Sequence, residues 1–254
     1  MEPLSPHSAS RAFKTFQDLL EMIAAALPLE EICSALVTAG ARLTASEVCT
    51  LWVTDDRLQP PQLVLRATQC TDAAYRSPRR LPLDGSLSGA VIASGRPLVI
   101  EDVRAAPAFR DKALAQRLGL VALMSIPVPG DGQRPRGVLN CFAGAARRFT
   151  PEDMLQAGTL AGLAAAALRL AAQQGRIAAL DEELETRKRV ERAKEILMRQ
   201  RNLSGEQAYR WIQKRSMDAR RSMREVAEMV ILSQDLGYYS SIPHTVAPPP
   251  KDSR

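Results

Sequence analysis

Apolar residues recur at three-and-four spacing over residues 12–26, where Phe13, Phe16, Leu19, Leu20 and Ile23 share one helical face with Leu27 just beyond; Pro28 closes the run. A second helix is predicted over residues 29–44, with Ile32, Leu36, Val37 and Leu43 repeating the pattern. The period then shortens. Residues 48–53 and 63–68 are rich in β-branched and aliphatic side chains, and Asp55, Asp56, Arg57, Pro60 and Pro61 between them are turn material, so the pair reads as an antiparallel hairpin. Residues 86–94 form a short helix closed by Gly95, residues 97–100 a strand, residues 102–109 a loop, and residues 113–118 another short helix stopped by Gly119. Two more strands, Ala122–Val128 and Gly137–Ala143, flank a turn that begins Pro129-Gly130-Asp131-Gly132. This order predicts an α+β domain over residues 12–170: an antiparallel sheet with helices on one side, any pocket lying under the short helices that cover the sheet.

Thr150-Pro151-Glu152-Asp153 opens a long helix: a Thr cap, Pro at the first helical position, and acids at the positive end of the helix dipole. No strong stop follows until Asn202. Leu163, Ala166, Leu170, Gln173, Ile177, Leu180 and Leu184 take the inner positions of a heptad, with Glu182, Glu183 and Glu185 outside, which predicts a parallel coiled coil and a homodimer seam, its linker at residues 171–186. Near Val190 the register slips to Val190, Ala193 and Leu197, a sign that a different packing partner takes over. Two capping boxes, Ser204-Gly205-Glu206-Gln207 and Ser222-Met223-Arg224-Glu225, then start helices over residues 205–217 and 223–236. With the end of the long helix they make an all-α three-helix unit over residues 187–236, with Ala193, Ile196, Leu197, Leu203, Ala208, Ile212, Met223, Val226, Ala227 and Val230 inward. Residues 237–254, with Pro248 to Pro250, read as a disordered tail.

Charge sharpens the division. From Arg187 to Gln234 there are 13 Lys and Arg against 6 Asp and Glu, a net of +7, while the other residues sum to −1. Basicity confined to one small unit is the footprint of a polyanion-binding module. The first residues carry no basic and apolar leader, and the Ala-rich run at residues 161–172 is interrupted by Arg169 and falls short of the roughly 20 apolar residues of a membrane span. The expected location is therefore the cytoplasm, with no membrane partner. Cys33, Cys49, Cys70 and Cys141 are scattered without a CxxC pair, and the chain has 2 His, so a zinc site is not expected and the cysteines read as small core residues. Neither a phosphate-cradling glycine loop nor a His-centred triad is present, and a reductase acting through cysteines would need a resolving pair that the spacing does not offer.

The run Arg187-Lys188-Arg189-Val190-Glu191-Arg192-Ala193-Lys194-Glu195-Ile196-Leu197-Met198, followed by Leu203-Ser204-Gly205-Glu206-Gln207-Ala208-Tyr209 and Met223-Arg224-Glu225-Val226-Ala227, resembles the ANTAR domain of bacterial antitermination regulators. Glu195 stands where family members often have Gly, and the last link, Asp218-Ala219-Arg220-Arg221-Ser222-Met223, lacks the Asn many of them carry. The resemblance implies that a dimer binds paired stem-loops with six-nucleotide loops in nascent mRNA and keeps a terminator from forming. Splayed loop bases can stack on aromatic or guanidinium planes while Lys and Arg neutralise phosphates. By residue type and match, Arg187, Lys194, Arg220, Arg221 and Arg224 are the expected RNA contacts, with Tyr209 able either to stack on RNA or to pack between helices; Trp211 reads as a half-buried packing residue.

The first domain resembles a GAF domain. The resemblance rests on Leu83-Asp84-Gly85-Ser86-Leu87-Ser88-Gly89-Ala90-Val91, on Ser94-Gly95-Arg96-Pro97-Leu98-Val99-Ile100-Glu101-Asp102-Val103, on Ser125-Ile126-Pro127-Val128 with Gly137-Val138-Leu139-Asn140, and on Phe149-Thr150-Pro151-Glu152-Asp153. That scaffold serves many ligands or dimerisation alone, so the signal, a small molecule or a protein, is left open and no cofactor is named. Trp52, Arg66, Cys70 and Phe109 are the candidate pocket-lining residues. Together these features predict a non-enzymatic, signal-responsive antitermination regulator. The alternative is a GAF-linked transcriptional regulator whose basic unit is a helix-turn-helix reading duplex DNA, against which stands a link at residues 218–221 without a Gly for a tight turn.

Overall fold

In a computed structural model the described residues are 6–76, 79–132 and 134–235; the tail expected at residues 237–254 lies outside them. The chain divides into two compact units, Met1–Gln173 and Gln174–Arg254. The elements run α1 Pro6–Ala24, α2 Leu29–Leu43, β1 Val48–Asp55, β2 Gln62–Thr68, α3 Ala73–Arg76, β3 Arg80–Pro82, α4 Leu87–Ser94, β4 Leu98–Ile100, α5 Lys112–Arg117, β5 Ala122–Val128, β6 Gly137–Ala143, α6 Pro151–Arg201, α7 Gly205–Ala219 and α8 Met223–Asp235. Of these, α3 and β3 had no counterpart in the sequence pattern: elements of 4 and 3 residues are too short to show a period.

In the first unit the strands form one sheet in the order β3-β2-β1-β6-β5-β4, with antiparallel neighbours throughout. Side chains alternate faces along a strand, and the two faces bury different partners. Cys49, Leu51 and Val53 of β1, Met124 and Ile126 of β5, and Leu139 and Cys141 of β6 join Leu36 and Val37 of α2 and Ala157, Leu160, Ala161, Ala164 and Leu168 of α6 in the main core. Their sequence neighbours Val48, Leu123 and Phe142 pack instead with Tyr75 of α3 and Leu114 and Ala115 of α5, and Trp52 and Val138 pack with Val91 and Ile92 of α4. Both faces are therefore covered, which corrects the expectation of helices on one side: the short helices supply the second layer. Helix α2 approaches β1 at Gly40, where a Cβ would lie 2.8 Å from the Cys49 Sγ.

The caps behave as their residue types dictate. The Ser86 hydroxyl accepts from the Gly89 N–H at 3.0 Å, and Gly95 ends α4 in the left-handed region at φ 64°. At the start of α6 the Thr150 hydroxyl accepts from the Asp153 N–H at 3.1 Å, and the Asp153 carboxylate accepts from the Thr150 N–H at 2.8 Å. A stretch of α6 is long and apolar enough to pass for a membrane span by length and composition. Ala157, Leu160, Ala161, Ala164 and Leu168, all buried in the first unit, account for much of that apolarity as core.

The second unit has its own core. Val190, Ala193, Ile196 and Leu197 of α6, Ala208 and Ile212 of α7, and Val226, Ala227 and Val230 of α8 are buried together, with Leu203 and Met223 partly buried against them. Both capping boxes are formed. Ser204 and Gln207 bond reciprocally at 3.2 and 2.9 Å, and Ser222 and Glu225 do the same at 3.2 and 2.7 Å.

Candidate functional site

The predicted cations of the second unit sit in unlike surroundings. On α6, Arg187 is exposed with no ion pair recorded for it among the described residues, whereas the Lys194 ammonium bonds both oxygens of Glu191 at 2.9 and 3.0 Å. Glu195 is exposed on the same helix. Arg224, at the start of α8, is bonded to Glu182 of α6 and, at 3.0 Å, to Glu228, which also pairs with Arg189. This network ties α8 to α6 and engages the Arg224 guanidinium within the unit.

Arg220 and Arg221 form the turn between α7 and α8. The Arg220 N–H donates to the Met217 carbonyl at 3.2 Å and the Arg221 N–H to the Ser216 carbonyl at 3.0 Å, a Schellman pattern that requires a left-handed residue. Arg220 takes it, at φ 51° and ψ 40°. The tight turn thus forms without Gly, which removes the reason drawn from the link against a helix-turn-helix. The Arg221 guanidinium lies 3.5 Å from the Met229 sulfur, and its carbonyl accepts from the Ser216 hydroxyl at 2.5 Å.

Tyr209 is 43% exposed on α7. Trp211 is half-buried, with the Arg201 guanidinium 4.9 Å and that of Arg215 5.6 Å from its ring centroid. Two residues on a helix are roughly 200° apart around the axis, so Tyr209 and Trp211 flank the buried Ala208 and Ile212 on opposite sides. The six predicted contacts are accordingly spread over α6, α7, the turn and α8. Arg201 and Arg215 were absent from the expected set; the i, i+4 spacing of Trp211 and Arg215 was the available signal.

In the first unit a cavity of about 40 Å³ lies on the sheet face covered by the short helices. Of the four candidates, Trp52 and Phe109 line it. The Trp52 indole N–H donates to the Thr50 hydroxyl at 2.9 Å, and Phe109 meets Phe142 edge-on at 6.1 Å. Arg66 does not line it. Leu51 pairs with Ala67 and Trp52 with Leu65, which leaves Arg66 as the extra residue of a bulge, exposed, its charge felt by the Cys33 thiol. Cys70 packs at the edge of the cluster around Tyr75 and is not among the lining residues.

The cavity's polar groups were missed by sequence. Ser88 and Asn140 line it, and the Asn140 amide donates to the Ser88 hydroxyl at 3.2 Å while its carbonyl accepts from Ser125 at 2.6 Å. Asn140 interrupts an apolar strand, a signal that could have found it. Tyr75, also in the lining, has its phenol pushed up to about 12 by burial, with Arg79 opposing. A water needs about 10–15 Å³ of such space, so the cavity has room for no more than a few waters, and a nucleotide-sized ligand requires the covering elements to open.

One further pairing was not legible. The β1–β6 register sets Cys49 opposite Cys141, and their sulfurs are 3.7 Å apart in the main core. Sequence spacing offered no cysteine pair, and residues 92 apart in sequence are brought together by the ladder. Both are fully buried, and the Cys49 thiol is held well above its ordinary pKa by its hydrogen bond with Cys141 and by burial. Among the described residues no group of three or more His, Cys, Asp or Glu is placed to hold a metal.

Comparison with known proteins gives two family matches: a GAF domain over residues 26–169 and an ANTAR domain over residues 178–231. The chain is 45% identical over 62 residues to the transcriptional regulatory protein PdtaR of Mycobacterium tuberculosis, a stretch that is 24% of this chain and 30% of that protein. Among solved structures, the GAF domain of a phosphoenolpyruvate-protein phosphotransferase from Coxiella burnetii is similar at a TM-score of 0.57 and 24% identity, over 66% of this chain and 98% of that one. Free methionine-R-sulfoxide reductase from Neisseria meningitidis is similar at a TM-score of 0.55 and 20% identity, over 68% and 97%. At these identities the structural likeness establishes the fold.

Proposed function

Since this chain belongs to the GAF family over residues 26–169 and carries an ANTAR domain over residues 178–231, we propose that it is a cytoplasmic, non-enzymatic, sensor-linked antitermination regulator that binds paired hairpins in nascent mRNA as a homodimer. The observation that carries this reading is the coincidence of the ANTAR match with the basic unit. Thirteen cations against six acids lie on a stretch whose three helices share one buried core and whose last two begin in capping boxes. Phosphates supply affinity to such a surface, and unpaired bases supply selectivity.

The GAF domain is the sensor in this reading, its signal entering at the cavity lined by Trp52, Phe109, Ser88 and Asn140. Helix α6 belongs to both units and is the natural carrier of the signal. A ligand shifts the RNA-binding state only by the difference in its affinity for the two dimer arrangements. A second reading, duplex DNA binding, stays open because the α7–α8 turn is tight without Gly, so the link no longer argues against a helix-turn-helix.

The test is titration of the purified protein with a leader RNA carrying two hairpins with six-base loops, with a loop-scrambled RNA and a duplex DNA of equal length as competitors, across a salt series. Loop-dependent binding that outcompetes duplex DNA at moderate salt is expected. Preference for the duplex would establish the second reading, and equal binding of scrambled RNA would remove hairpin recognition.

A further inference from the structure

The cavity of the first unit is lined by hydrogen-bond donors in excess of acceptors. The Thr50 hydroxyl accepts from the Trp52 indole N–H at 2.9 Å and the Ser88 hydroxyl from the Asn140 amide at 3.2 Å, while the hydroxyl protons of both find no acceptor among the described residues. Asn140 has a second amide N–H, and the Tyr75 phenol, also in the lining, has no hydrogen-bond partner among the described residues. Asp111, the carboxylate in the lining, is already engaged by Arg79 at 2.9 Å. The Arg79 guanidinium lies 5.0 Å from the Tyr75 ring centroid, and its Nη1 is buried without a partner. Arg110, an exposed lining residue, donates from Nε to the Gly85 carbonyl at 3.1 Å. Arg79 and Arg110 against Asp111 leave one surplus positive charge around the cavity. The first turn of α4 reaches the lining through Ser86, Leu87 and Ser88, and its dipole adds to that positive potential.

We propose that this cavity binds the carboxylate of a small organic acid, with Arg110 meeting its charge and Thr50, Ser88 and Asn140 donating to its oxygens. The proposal rests on the reading that the first unit is the sensor, and it names the class of signal. Surplus donors and surplus positive charge select an acceptor-rich anion, because a donor that stays unpaired in a buried site is costly and a carboxylate accepts several at once. A cationic ligand would instead face Arg79 and Arg110, and an amine would find an Asp111 carboxylate that is already bonded. Size narrows the class further. At roughly 10–15 Å³ for each water-sized group, a space of about 40 Å³ takes about three non-hydrogen atoms, the size of a carboxylate group itself. Formate or acetate therefore fits with the cover as it stands, and a longer acid must displace the segment Ala108 to Asp111, which also lines the cavity. Trp52, Phe109 and Phe142 wall the space with rings, which lowers the local dielectric and strengthens each charge-assisted hydrogen bond.

The experiment uses the full chain carrying Trp211→Phe, which leaves Trp52 as its single indole and makes fluorescence a report on the cavity. Acetate is titrated at pH 7 beside acetamide, its neutral isostere, and beside chloride at equal ionic strength. A saturable change with acetate, matched by a rise in the melting temperature of the first unit, is expected, with neither effect from acetamide or chloride. Arg110→Gln and Ser88→Ala are each expected to weaken acetate binding by at least about tenfold, since each removes a donor to a charged acceptor. Arg110 is exposed, so its variant keeps the fold even where Ser88→Ala does not. Arg57→Gln, which takes the same charge from the exposed link between β1 and β2, is expected to change binding by less than about threefold. Equal responses to acetate and acetamide, or wild-type affinity in Arg110→Gln, would overturn the carboxylate assignment. Absence of a saturable response to formate, acetate and propionate would overturn it as well, and titration of the wild-type chain with the two-hairpin RNA shows separately whether the RNA reading stands. Saturable acetate binding that leaves RNA affinity unchanged would support the carboxylate site and overturn its role as the signal.

Discussion

Arg220 holds φ 51° and ψ 40° between α7 and α8, a conformation in which an L side chain crowds its own carbonyl at a cost of about 1–2 kcal/mol, and which Gly adopts freely. Arg220→Gly is therefore expected to raise the melting temperature of the second unit, by about 0.5–1 kcal/mol in stability, while weakening RNA binding if its charge reaches phosphate; thermal melts and RNA titration of one variant separate the two effects. A side chain kept at such a position in spite of its backbone cost is a reason to look for a use. The thiols give a second residue-scale expectation. Burial pushes Cys33 up to about 11, and Cys49 is raised by its bond with Cys141 and by burial, so neither is a thiolate near neutral pH. Half-buried Cys70 is then the single fast-reacting thiol toward a disulfide reagent at pH 8, with Cys33, Cys49 and Cys141 reacting only on unfolding. Loss of the fast phase in Cys70→Ser checks this; two fast thiols in the native protein would contradict it. At this scale the sequence was legible where the partner is local. The caps at Thr150, Ser204 and Ser222 and the inward set from Ala193 to Val230 could be read from spacing of a few residues. The Cys49–Cys141 pair, the Arg66 bulge and the Glu182–Arg224 bond depend on register and chain return, which no local window contains.

Among the elements, α6 carries the clearest unpaired surface. Ile177, Leu180 and Leu184 are more than half exposed, three aliphatic side chains at heptad spacing; of the other inner positions, Ala166 and Gln173 are exposed, whereas Leu163 and Leu170 are half-buried, Leu163 against the first unit's core. Burying an aliphatic side chain of this size contributes about 1.5–3 kcal/mol, so a parallel partner helix along this stripe would recover several times that amount across both chains. Ile177→Ser with Leu180→Ser is expected to shift the protein from dimer to monomer in analytical ultracentrifugation at micromolar concentration. The circular dichroism of the first unit's sheet should be unchanged, because neither side chain belongs to a core cluster. A dimer that survives both substitutions would move the seam elsewhere. Heptad spacing made this stripe visible in the sequence. The limits of α6, β5 and β6 were equally legible, because each is bounded by a cap or a turn and long enough to display its period. α3 and β3 were not, since their placement comes from the sheet they complete.

At the scale of the whole molecule, two cores of unequal depth share one helix. Among the described residues the first unit buries three apolar clusters on two faces of a sheet, whereas the second relies on nine buried residues, most of them Ala or Val beside Ile196, Leu197 and Ile212. A domain of about 60 residues is marginally stable on its own. Calorimetry is therefore expected to show two transitions, the lower belonging to the second unit. Leu197 is fully buried there, and Leu197→Ala removes side-chain volume that the neighbouring small residues cannot refill, at a cost of about 2–5 kcal/mol. That is comparable with the whole stability of such a unit, so the variant is expected to lose the lower transition and all RNA binding while the upper transition moves by less than about 2 °C. The matching substitution in the first unit, Leu160→Ala, is expected to lower the upper transition and leave RNA binding by the second unit measurable at low temperature. If Leu197→Ala instead lowered both transitions together, the two cores would be one cooperative system, and a signal reaching the first unit would act on RNA binding through stability as well as through the geometry of α6.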